Sequence, residues 1–227
     1  MRTTDSSATG TGTFTQSARQ TQLVAHAIAA LAEVGYRQTT VAEVARRAGV
    51  SKGVVTYHFP ARDDLIWAVV ADVFSSITEH VGVRLAGASS ETFLATYIGG
   101  WVEFFRNHSR DMAAIVEIWV NFRDSDGHPH LGVHTLGNEQ ALVEAALVAG
   151  QADGTFCDFS PRVMAVTLKA ALDGLLGQLG ADPGLDLDAY GTELIALFDR
   201  ATSSTPTKAI SPPIPLTVAT PRKDAHQ

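Results

Sequence analysis

Apolar residues recur at three- and four-residue intervals along most of this chain and nowhere alternate with polar ones between hairpin turns, so the pattern predicts an all-α fold. The first helix runs from about Ser17 to Val34, with Leu23, Ala27, Ile28 and Leu31 on its buried face and Gly35 as its stop. Val41, Val44, Ala45 and Ala48 then form a short stripe that Gly49 closes, and a third helix spans Lys52 to about Tyr57. A long helix follows from about Arg62 to Leu85. Its Leu65, Ile66, Val69, Val70, Val73, Phe74 and Ile77 cover more than one side, as expected of an element packed against two neighbours. Further helices are expected at about 91–107, 109–123, 133–151, 161–179 and 187–201. The two ends lack this periodicity. Residues 1–16 are rich in Ser, Thr and Gly, and residues 202–227 hold five of the nine prolines, so both read as disordered arms.

Residues 40–62, TVAEVARRAGVSKGVVTYHFPAR, carry the sharpest local signals. Thr40 and Glu43 fit a capping box, in which the threonine oxygen accepts an N–H three residues on and the glutamate reaches back to the cap's own N–H. Gly49 adopts a left-handed conformation without steric cost, Val50 plugs the angle between the helices, and Ser51 caps the next one. That helix is a poor one by intrinsic propensity, since Gly53, Val54, Val55 and Thr56 all score badly. Docking must hold it in place. The same composition gives it a slim outer face that approaches base edges closely, with methyl groups suited to thymine. The whole has the shape of a helix-turn-helix DNA reader.

The residues that fill this frame are Thr39-Thr40, Ala45, Ala48-Gly49-Val50-Ser51, Tyr57-His58-Phe59, Arg62 and Leu65. Together they resemble the signature of the TetR family of bacterial transcriptional regulators, over roughly residues 17–66. The resemblance implies a three-helix DNA-binding domain (17–63), a helical ligand-binding and dimerisation domain (64–201), and repression relieved by a small molecule. Two positions depart from the family pattern. Arg62 stands where a lysine is usual, which keeps the charge and adds a planar fork suited to phosphate. Ala61 stands where Ser or Asn usually caps the fourth helix, a loss partly offset by Asp63 and Asp64 at the positive end of the helix dipole.

Charge is distributed unevenly. The 227 residues carry a net charge of -7, yet residues 1–60 hold six Lys/Arg against three acids. The remainder holds eleven basic and twenty-one acidic side chains. A basic module on an acidic body fits a nucleic-acid-facing domain. No run of eighteen or more uncharged apolar residues occurs and no secretory pattern opens the chain, so a cytoplasmic location and no membrane partner are expected. Cys157 is the only cysteine and reads as a small buried hydrophobe beside Phe156 and Phe159.

In the DNA complex this reading implies, Lys52 reaches guanine edges or phosphate, and Gly53 and Val54 approach bases. Thr40, Tyr57, His58 and Arg62 hold phosphates, which set register; Arg46, Ser51 and Thr56 complete the candidate DNA-binding set. In the body, Trp101, Phe104, Phe105, Met112, Trp119 and Phe122 concentrate large side chains on two consecutive helices. They are candidates for an apolar effector pocket, with Glu117, Asn121, His134 and Asp173 as polar anchors. Leu168, Leu172, Gly174, Leu175 and Leu179 on one helix, with Tyr190, Leu194 and Phe198 on the next, are candidates for a homodimer interface built as a four-helix bundle. His128, His130 and His134 have metal-like density but flank a proline in a loop-like stretch, so no metal is expected. No nucleotide-binding glycine loop, His-Glu metal helix or nucleophile elbow is present, and neither enzymatic activity nor a cofactor is expected. A ligand-responsive regulator released from operator DNA by a small molecule is the reading. The alternatives are a helical small-molecule-binding enzyme and a protein adaptor that does not bind DNA.

Overall fold

The computed structural model describes the backbone of residues 9–123, 137–182 and 184–204, and the side chains of residues 16–123, 139–182 and 184–204. Nine helices are formed among the described residues: α1 (Thr9–Gln38), α2 (Val41–Ala48), α3 (Lys52–His58), α4 (Arg62–Leu85), α5 (Ser90–Asn107), α6 (Ser109–Asn121), α7 (Gly137–Ala152), α8 (Pro161–Ala181) and α9 (Leu187–Thr202).

The first helix departs from expectation at both ends. It starts at Thr9, so residues 9–16 belong to a helix that the sequence pattern begins at Ser17. Extending an existing helix costs far less than nucleating one, so the firmly packed turn around Leu23 carries even a Gly/Thr-rich segment. At the other end Gly35 does not stop the helix outright. It takes φ 79 and ψ 170, a kink beyond which the chain continues to Gln38.

Caps fix the reader's short helices. The Thr40 hydroxyl accepts the Glu43 N–H at 3.2 Å and Ser51 accepts that of Val54 at 3.4 Å. Gly49 is left-handed, φ 65 and ψ 31. Only half of the expected capping box forms, however, because the Glu43 carboxylate turns to Arg46 and Arg47 while the Thr40 N–H bonds Gln38 O. At α4 the acidic half appears instead. Ala61 offers no side-chain cap, but Asp64 accepts its N–H at 2.8 Å.

The helices share one hydrophobic core that runs from Leu23 in α1 to Phe198 in α9. α4 threads it with Leu65, Val69, Val73, Ile77 and Val81, a strict four-residue row buried along the helix. α1 lies against α2, α4 and α6, so the reader is braced on the body through two helices rather than α4 alone. α8 meets α6 closely enough that a Cβ on Gly180 would lie 2.8 Å from a Val116 methyl. α4 and α8 are long and apolar enough to cross a membrane by length and composition, with mean hydropathy 1.3 and 1.2. Both place a stripe in the core and carry charges mid-helix, Asp72 and Glu79 in α4 and Lys169 and Asp173 in α8.

Candidate nucleic-acid interface and effector cleft

The docking of α3 follows from two residues. Val55 is fully buried and Phe59 nearly so, and this pair pins the helix against the rest of the reader. The opposite face is left free: Lys52, Gly53, Thr56 and Tyr57 fall at positions i, i+1, i+4 and i+5 and are exposed, Tyr57 to 72%. Ser51 is exposed beside them while Val54 and His58 are half-buried. The Thr56 hydroxyl donates back to the carbonyls of Lys52 and Gly53, leaving its methyl as the outward group. His58 stands edge-on to Tyr57, ring centroids 5.1 Å apart, and its Nδ1 is buried without a partner among the described residues. Lys52 has no ion-pair partner among the described residues.

The arginines are used differently from the expectation. Arg62 does not face outward. Its Nε donates to Thr39 O at 2.9 Å, its Nη2 to Tyr36 O, and the guanidinium lies 4.1 Å from the Tyr36 ring centroid. The planar fork that suits phosphate suits two neighbouring carbonyls as well, and here it ties the start of α4 to the α1–α2 junction. Arg46 is exposed, but its Nε and Nη2 engage both Glu43 oxygens. Arg47 bridges Glu43 and Glu33, each at 2.6 Å. These bonds to Arg46 and Arg47 pull the Glu43 carboxyl down to about 2.

Residues 23–69 match the family model described as bacterial regulatory proteins, tetR family. The N-terminal domain is a TetR-family domain. A curated relative, the HTH-type transcriptional regulator BetI of Cronobacter sakazakii, is 32% identical over 120 residues, which cover 52% of this chain and 58% of that protein. The chain thus spans little more than half the length of this curated relative. Among solved structures, the fatty acid degradation regulator FadR from Bacillus halodurans superposes with a TM-score of 0.69 at 19% identity, covering 80% of this chain and 94% of that one. A transcriptional regulator from Rhodococcus sp. Rha1 gives 0.67 at 21% identity, covering 81% and 97%. These two establish a common fold beyond the TetR-family domain.

Behind that domain, the residues expected to form one apolar pocket divide among four places. Phe122 packs between Tyr36 and Trp67, at centroid distances of 6.2 and 5.5 Å, where it seals reader to body. Trp119 is half-buried against the same core. Phe104 stacks on His108 at 4.0 Å and meets His80 edge-on, closing the α4–α5 seam. Trp101 belongs to a polar cluster. Its Nε1–H and the Tyr97 O–H both donate to Glu139 Oε1, at 3.1 and 2.6 Å, and Lys169 lies over its ring while pairing with Asp173. Burial pushes the Glu139 carboxyl up, and pushes the Tyr97 hydroxyl up further. Asp173 is therefore tied to an internal cation that the expectation had overlooked. His134, with His128 and His130, lies outside the described residues.

Phe105, Met112 and Glu117 do line a cavity, of about 420 Å³. Its other walls come from Ala32 on α1, Val116 on α6, Leu179 and Gly180 at the end of α8, and Leu185 and Leu187. It opens between the reader's first helix and the body. The Glu117 carboxylate accepts the Tyr36 N–H at 2.8 Å, and Asn121 donates to the Glu117 carbonyl at 2.9 Å. Sequence reasoning missed Tyr36, Tyr97 and Glu139, whose partners lie far along the chain, and Lys169, whose i,i+4 spacing to Asp173 was a local signal that could have found it.

Of the candidate interface on α8 and α9, Gly174 faces outward while most of the large side chains turn into the protomer. Leu168, Leu172 and Leu175 are fully buried within the protomer, Leu194 and Phe198 nearly so, while Leu179 and Tyr190 are half-buried. The large side chains fill the protomer's own core because they offer the most area to bury. The small and apolar residues left outward include Val163, Val166, Ala170, Gly174 and Gly177 on α8 and Leu197, at 53% exposure, on α9. A Cβ on Gly174 or Gly177 would meet nothing within 4 Å. Cys157 is half-buried rather than buried.

Proposed function

We infer that the chain is a DNA-binding transcriptional regulator, a repressor that lets go of its operator when a small molecule binds the body. One observation carries this reading: the TetR-family domain presents Lys52, Gly53, Thr56 and Tyr57 on a single exposed face of a helix that its own Val55 and Phe59 hold firmly in place. Such a face enters a major groove with its first turn toward the bases. Lys52 is the residue for a guanine edge or a nearby phosphate, Gly53 permits close approach, and the Thr56 methyl suits a thymine. Tyr57 and the Thr40 and Ser51 caps sit at the rim, where phosphates fix register.

A homodimer reads two half-sites related by its two-fold axis. Support for the pairing surface comes from the small and medium apolar residues left outward on α8 and α9, chiefly Val163, Val166, Gly174, Gly177 and Leu197. Residues 17–63 serve as reader and 64–201 as effector-binding and dimerising body, and a DNA-bound regulator works in the cytoplasm. The test is selection of binding duplexes from a randomised pool, followed by fluorescence anisotropy at several salt concentrations. Enrichment of a palindromic sequence with half-sites about one helical turn apart is the expected result. A pool that stays random, with the protein folded and dimeric, refutes the reading.

A further inference from the structure

The cleft of about 420 Å³ lies within the range of small-molecule sites and is walled by α1, α5, α6, the end of α8 and the entry to α9. Its lining is apolar except for Arg106, Ser109 and Glu117. Arg106 is already engaged: its Nη1 pairs with Asp188 at 2.6 Å. Glu117 is not neutralised in that way. Its carboxylate is held by the Tyr36 N–H at 2.8 Å, with the Asn121 amide 3.4 Å away, both neutral donors, and no basic side chain among the described residues forms an ion pair with it. A carboxylate in a mostly apolar wall, met by dipoles alone, favours a ligand that brings a positive charge and an N–H.

The neutral donor that Glu117 holds is placed at a node. Tyr36 follows the kink at Gly35, where φ is 79 and a Cβ would come within 3.2 Å of Glu117 Oε2. The Tyr36 carbonyl accepts from Arg62 at the head of α4, and the Gly35 carbonyl accepts both the N–H and the hydroxyl of Thr39. The path from cleft to α2 is therefore a chain of named bonds: Glu117 to Tyr36, then Gly35 to Thr39, then the Thr40 cap.

We propose that this cleft binds a protonated amine carrying an apolar body, whose ammonium takes the Glu117 carboxylate from the Tyr36 N–H and so loosens the seating of the reader on the body. The apolar part lies against Phe105, Met112, Leu179 and Leu187. The charge-assisted bond competes with a neutral one for the same carboxylate, and a carboxylate drawn into the cleft leaves the α1–α2 junction without its anchor on α6. This deepens the regulator reading, on which its control of DNA rests, while the preference for an amine stands on the cleft alone.

The experiment uses the full chain and three probes of equal length: n-octylammonium, 1-octanol and octanoate. Calorimetry should show saturable octylammonium binding at least tenfold tighter than either other probe, and Glu117→Gln, which keeps an acceptor for Tyr36, should reduce the amine to the affinity of the alcohol. Ala113→Phe, at an exposed position of the cleft wall, should abolish binding of amine and alcohol alike with helicity preserved by circular dichroism. Equal affinities for amine and alcohol, tighter octanoate, unsaturable partitioning, or binding that survives the filled cleft each overturn the site. Saturating octylammonium should also weaken binding to the duplex selected by this chain by at least fivefold, with the same factor seen in reverse when duplex is present during the amine titration. Unchanged DNA affinity at saturation overturns the latch. A chain that selects no duplex at all refutes the regulator reading instead, and the Glu117→Gln comparison still decides the site.

Discussion

Three arginines of the reader and two carboxylates of the body, Glu117 and Glu139, are treated in opposite ways. Arg46 and Arg47 are spent on Glu43 and Glu33, and Arg62 on two backbone carbonyls and a tyrosine face, so that in this region the charges hold the fold together. In the body, Glu117 and Glu139 are each held by neutral N–H and O–H donors. The contrast shows where charge remains available to a partner. On α3 it is Lys52, so the proposed DNA face would lean on shape and methyl groups more than on the reader's net charge. In the body it is these two carboxylates, of which Glu117 lines the cleft.

The largest test of this contrast is Arg62→Ala. It removes two bonds from a charged donor and a cation–π contact between α4 and the α1–α2 junction, and should cost about 2 to 4 kcal/mol of stability in urea unfolding. Arg62→Lys should recover only part of that, since a single ammonium cannot span both carbonyls. If Arg62 were instead a phosphate ligand, the salt slope of DNA binding would fall by about one while stability stayed put.

Next comes Lys52→Ala, the cation on the exposed face of α3 that has no ion-pair partner among the described residues. Operator affinity should drop by roughly 1 to 3 kcal/mol with thermal stability unchanged, measured by anisotropy and calorimetry in parallel. Equal loss in both would place Lys52 with the structural arginines and erase the distinction.

How far these roles can be read from sequence depends on how local they are. The bounds of α4, Arg62–Leu85, and the caps at Thr40, Gly49 and Ser51 are all encoded within a few residues and were legible. The second half of the Thr40 box was not, because Glu43 has Arg46 and Arg47 within one turn and a charged donor outbids a backbone N–H. On α8 the leucines and glycines are both visible, but which face turns inward is decided by α5, α6 and α7, and the larger side chains claimed the core. The bond from Tyr36 to Glu117 spans 81 residues and that from Tyr97 to Glu139 spans 42, and no periodicity within either helix announces them.

A smaller effect is expected at Glu139. Burial raises its carboxyl above the ordinary value, so between that value and the folded one the native state keeps a proton that the unfolded chain has released. Stability contributed by this group is therefore full below the ordinary carboxylate range and falls as pH rises through the window. Glu139→Gln retains an acceptor for Tyr97 and Trp101 without the charge. Its stability relative to wild type should rise as the pH is taken upward from about 4.3, the ordinary glutamate value, and then level off in denaturant curves. A difference that does not vary with pH would mean that Lys169 neutralises the site completely.

The smallest effect belongs to Glu43, where the sign is reversed. Its carboxyl is pulled down to about 2 by Arg46 and Arg47, so its contribution is present above the ordinary glutamate value and is lost as pH falls from there toward 2. Exposure to solvent keeps that contribution small. In Glu43→Gln the acid limb of the stability profile should flatten between about pH 4.3 and 2, the wild type and variant converging at the acid end. The same substitution releases Arg46, which is 69% exposed and belongs to the expected DNA-binding set. Nonspecific DNA affinity should then rise and the salt slope steepen by about one, the signature of an added phosphate contact. A variant that loses acid-limb stability but gains no salt dependence would show that Arg46 points away from the duplex, and that its pairing with Glu43 serves the fold of α2 alone.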